Sequence, residues 1–74
     1  MRVVKSIEIE SPGLGQRIKQ ARDADSRTLV SICKVVDMSP ANWYRIEDES
    51  QVLPIETLRK IESVLNIDFG VKFD

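Results

Sequence analysis

Residues 28–46, T-L-V-S-I-C-K-V-V-D-M-S-P-A-N-W-Y-R-I, constrain the fold more than any other part of the chain. They hold two short apolar runs separated by Asp37, Met38, Ser39 and Pro40. Leu29, Ile32, Cys33 and Val36 recur at helical spacing in the first run, and Trp43 and Ile46 stand three apart in the second. Ser39 is a good N-cap, and Pro40 suits a first helical position, where the N–H it lacks would have no partner. The pattern predicts helices over about 28–36 and 40–48, joined by a turn of three or four residues. Adjacent helical side chains point about 100° apart, so Trp43 and Tyr44 cannot both face inward. Trp43 is expected in the core and Tyr44 near the surface.

The flanks either pack on this unit or extend it. Residues 1–10 alternate, with Val3, Ile7 and Ile9 on one side and Lys5 interrupting, which predicts a half-buried strand. Ser11, Pro12 and Gly13 break it. A first helix follows from Pro12 or Leu14 to Asp25, with Leu14, Ile18, Ala21 and Ala24 as its inner stripe. Residues 48–51 read as a polar loop. Pro54 opens a last helix with an inner face of Ile55, Leu58, Ile61, Val64 and Leu65, and Asn66 suits its left-handed end. The end F-G-V-K-F-D alternates again and reads as a strand over 69–74. The expected fold is mainly α: one domain over 1–74, a helical core over 14–67, and the two terminal strands paired as an antiparallel ribbon. Such a ribbon is marginal alone, so it should lie on a helix or a second subunit.

Composition excludes several functions. There is no run of eighteen apolar residues, hence no predicted membrane span, and the N-terminus is too acidic for a signal peptide. The expected compartment is cytoplasmic. Without histidine the usual general base and the commonest metal ligand are missing. One cysteine makes neither an internal disulfide nor a structural zinc site, and Cys33 reads as a small core residue. The acids Glu8 and Glu10, and Glu47, Asp48 and Glu49, read as solvated charge. No enzyme, cofactor or metal is expected.

The runs L-G-Q-R-I-K-Q-A-R (14–22), M-S-P-A-N-W-Y-R-I-E (38–47) and I-E-T-L-R-K-I-E-S-V-L-N-I (55–67) resemble the lambda-repressor-like (Xre/Cro-type) helix-turn-helix domains. The resemblance covers about residues 14–68. It implies a small sequence-specific, DNA-binding transcriptional regulator, dimeric on double-stranded DNA, with the third helix in the major groove and the second across the backbone. It also implies an ion pair between Arg22 and Glu47.

The chain departs from that family where DNA would lie. Leu29 stands where a phosphate-binding glutamine is common, and Asp37 where the turn usually has glycine. Pro40 and Ala41 occupy base-reading positions, yet Ala41 could at most touch a thymine methyl. Residues 39–53 carry one arginine against three acids, a surface that phosphate would repel. The remaining candidate DNA contacts are Asn42, Tyr44 and Arg45, with Arg27 and Lys34 around the second helix and Arg17 and Lys19 on the first. The alternative is a protein-interaction module on the same scaffold, antitoxin-like or a co-regulator, with weak or no DNA binding. A homodimer is expected from the apolar sides of the terminal strands and from Val52 and Leu53.

Overall fold

A computed structural model describes residues 1–5 and 7–72. The elements run β1 (Arg2–Val4), β2 (Glu8–Glu10), α1 (Leu14–Asp23), α2 (Leu29–Val36), α3 (Pro40–Glu47), β3 (Leu53–Pro54) and α4 (Ile55–Leu65). Local chemistry sets the helix ends. The Thr28 hydroxyl accepts from the Ser31 N–H at 3.2 Å to open α2, and the Ser39 hydroxyl accepts from the Asn42 N–H at 3.1 Å to open α3. Asp37 and Asn66, each at φ 55°, close α2 and α4 in the left-handed region, which short polar side chains tolerate.

The helices and strands share one core. Leu14 and Ile18 of α1, Ile32 of α2, Trp43 of α3, and Leu58 and Ile61 of α4 are fully buried, with Val3 and Leu53 from the strands. Ala24 does not extend the inner stripe of α1; that helix stops at Asp23 and Ala24 is exposed. Gly15 sits where α1 crosses the end of α3. A Cβ there would lie 2.3 Å from the Glu47 carbonyl oxygen, so only glycine permits this approach.

The strands differ from expectation. The one strand expected over 1–10 is two: β1 and β2 pair antiparallel, with Val3 opposite Ile9. Lys5, which breaks the alternation, stands where the chain reverses. The third strand is β3, parallel to β1, with Val3 opposite Leu53. Pro54 lacks an N–H and ends this short edge strand as α4 begins.

The expected ribbon between the chain ends is corrected as well. β1 is the central strand, flanked by β2 and β3, so neither of its edges is open to the tail. Residues 67–72 form no strand, and Phe73 and Asp74 lie outside the described residues. The tail runs back along α4 instead. The Phe69 N–H donates to Glu62 at 2.9 Å, Arg17 donates to the Phe69 carbonyl at 2.7 Å, and Arg59 donates to the Val71 carbonyl at 2.7 Å. Phe69 and Val71 are buried. Of the apolar residues that suggested a homodimer, Val3, Leu53, Phe69 and Val71 are covered within one chain, Ile9 is half-buried, Ile7 and Val52 are exposed, and Phe73 lies outside the described residues. Among the described residues, no helix is long and apolar enough to cross a membrane.

Candidate nucleic-acid interface

The outward face of α3 is defined by what holds its inward face. Trp43, Ile46 and Glu47 are buried. Glu47 is the only buried charged side chain among the described residues, and three donors saturate it. Arg22 reaches it through Nε at 2.6 Å and Nη2 at 3.1 Å, and the Trp43 indole N–H donates at 2.6 Å. A carboxylate in this position is tolerable only when paired and hydrogen-bonded. Hydrogen bonding to Glu47 is also what raises the Arg22 pKa above its ordinary value. The constellation ties α1 to α3 and sets the rotation of α3 about its axis.

With that rotation fixed, Pro40, Ala41, Tyr44, Arg45 and Asp48 are exposed. They stand at i, i+1, i+4, i+5 and i+8, one stripe along the helix. Arg45 forms no ion pair among the described residues. Tyr44 is half-exposed, and the Arg22 guanidinium lies 5.8 Å from its ring centroid, at cation–π distance. Asn42, half-buried at the edge of the stripe, accepts from Gln51 Nε2 at 3.0 Å.

The acid run after α3 does not act as three surface charges. Glu47 points inward. Glu49 takes φ 57°, which turns its carboxylate back onto α1. There it accepts from the Gly15 N–H at 3.0 Å and pairs with the Met1 α-amino group at 2.6 Å. Asp48 alone stays exposed. The repulsion expected from this segment is therefore mostly spent inside the fold.

The remaining candidates divide. Lys34 is exposed and lines a groove shared with Pro40 at the α2–α3 turn. Lys19 is exposed on α1. Arg17 is occupied by the tail, bonded to the Phe69 carbonyl and 5.5 Å from its ring. Arg27 donates to Asp25 at 3.0 and 2.7 Å and to the Val64 carbonyl. Its hydrogen bonds hold the Asp25 carboxyl down at about 2. Both arginines fasten the chain to itself. Cys33 is buried, which pushes its thiol pKa up, and among the described residues no group of acidic, cysteine or histidine side chains is arranged to hold a metal ion.

Sequence reasoning missed Gln51, Thr57 and Lys60 beside the start of α3. The last two stand three apart on α4, but which side of α4 looks toward α3 depends on packing. Comparison with family models, curated proteins and solved structures gives no match to this chain.

Proposed function

We propose that the chain binds double-stranded DNA through the outward face of α3, as a small sequence-specific regulator of the helix-turn-helix, lambda-repressor-like kind. The observation that carries this reading is the inward turning of Glu47 and Glu49, which leaves Arg45 as the charged group at the middle of the exposed stripe. An arginine on a protruding helix can donate two parallel hydrogen bonds to guanine in the major groove, and Ala41 can meet a thymine methyl. α2 and its turn would lie across the backbone, with Lys34 beside the start of α3.

One copy carries the whole face, so the proposal is made for one copy on one half-site; a homodimer on a palindrome is an addition to it. The test is selection of duplexes from a random pool, followed by anisotropy titration at low salt. The expected result is tighter binding to a selected duplex than to its scrambled counterpart. Equal, weak binding to every duplex by a well-folded sample would contradict it.

The second reading, a protein-interaction surface, is favoured by the exposure of Val30 and Val35 on α2, at 55% and 67%. Apolar residues of that exposure suit a protein partner better than phosphate. If the chain binds no duplex specifically, this reading takes precedence.

A further inference from the structure

Two clefts flank the α2–α3 turn, and they share Asp37, Met38 and Ser39. The cleft on the α2 side has Lys34, but its other walls include Val30, Cys33 and Pro40. The cleft on the α4 side, about 340 Å³ in volume, brings together Asp37, Ser39, Asn42, Thr57 and Lys60. Val36 and Met38 also line it, but four of its side chains can donate hydrogen bonds. Gln51 donates to Asn42 Oδ1 at 3.0 Å, which occupies the acceptor end of that amide and leaves its NH₂ group to point elsewhere. The Ser39 hydroxyl accepts from the Asn42 N–H, so its own hydrogen is available. Lys60 is exposed and forms no ion pair among the described residues. Asp37 and Lys60 are the titratable groups lining the cleft.

We propose that this cleft seats one phosphate of a duplex DNA backbone, with Lys60 as its cation and Asn42, Thr57 and Ser39 as neutral donors. The assignment rests on reading α3 as the DNA-facing helix. A phosphodiester needs several convergent donors and one compensating charge, and it carries no sequence information. The seat would fix how deeply α3 enters the groove and would leave base reading to Arg45. Asp37, the one acid in the lining, opposes it.

The experiment is anisotropy titration of the full chain on its selected duplex and on a scrambled one, between 50 and 200 mM salt. Neutralising one phosphate contact changes the slope of log affinity against log salt by about 0.9. Over that range the wild type should therefore lose about 3.5-fold more affinity than Lys60→Gln. The variant should be weaker on both duplexes by the same factor, with an unchanged melting temperature. Thr57→Val should weaken both without changing the slope. Asp37→Asn should strengthen both, and it suits the fold because asparagine also accepts the left-handed conformation at this position. Wild-type binding with a Lys60→Gln slope and affinity equal to wild type would overturn the seat and leave the role of α3 intact. Absence of wild-type duplex binding would overturn both, and would be visible before any variant is made.

Discussion

At Glu47 the chain places a carboxylate largely out of water and answers it with three hydrogen bonds from Arg22 and Trp43. Removing Arg22 leaves Glu47 buried with only the Trp43 indole as donor, and removing Glu47 leaves Arg22 with Asp23 at 3.3 Å and strips the indole of its acceptor. Arg22→Ala and Glu47→Ala should each cost about 3–5 kcal/mol in denaturant unfolding, and the double variant should cost less than the sum, because the two act as a unit. Shifts under about 1 kcal/mol would mean that the pair behaves as a solvated surface contact. Glu49 gives a second prediction, in pH. Its hydrogen bond from the Met1 amine lowers its pKa below the ordinary 4.5, and the Met1 amine is raised above its ordinary 8.0 by hydrogen bonds to Glu10 and Glu49. The carboxylate's contribution is present above pH 4.5 and is lost as pH falls through its folded value; the amine's is present below pH 8.0 and is lost as pH rises through its folded value. Melting temperature should thus be flattest between those limits. Glu49→Gln should shallow the acid limb without abolishing it, since Asp25 also titrates low. An acid limb identical to wild type would contradict the role given to Glu49.

Among the elements, the α1–α3 crossing depends on an absent side chain. Placed in isolation, Gly15→Ala would stabilise α1 by about 1 kcal/mol, because alanine is the better helix former. Here the added carbon meets the Glu47 backbone oxygen at 2.3 Å and the Glu49 Cγ at 2.7 Å. Backbone cannot swing aside as a side chain can, so the sign should reverse, with a loss of about 1–3 kcal/mol read by thermal or denaturant melts. A stabilised Gly15→Ala would show that the two helices stand further apart. Helix positions were legible in the sequence because their signals are local: Thr28 and Ser39 as caps, Pro40 in a first turn, Asn66 at a left-handed end. The strands were less so. Three residues of β1 carry too little pattern to reveal that Lys5 marks a reversal, or that Leu53 and not the tail would take the second edge. The face of α3 was legible from Trp43 and Ile46. The fate of the acids was not, because the turning-in of Glu49 requires both a left-handed glutamate and the nearness of Gly15.

Over the whole molecule, most arginines are tied to the chain itself, whereas the lysines are exposed and form no ion pair among the described residues. Arg17, Arg22, Arg27 and Arg59 are occupied with carbonyls or carboxylates of the same chain, while Lys34, Arg45 and Lys60 border the outer side of α3 or its turn without an ion pair among the described residues. Against these three cations the same side exposes Asp37 and Asp48, a surplus of one positive charge on a chain of net charge -1, which foretells modest, strongly salt-dependent affinity. The measurement that bears most directly on the account is the affinity of Arg45→Ala for the selected duplex and for its single-base variants. The account predicts a loss of about 1–3 kcal/mol on the selected site, with discrimination relaxed at one base pair and kept at the others. An Arg45→Ala protein that is as tight and as selective as wild type would contradict the claim that α3 reads the DNA.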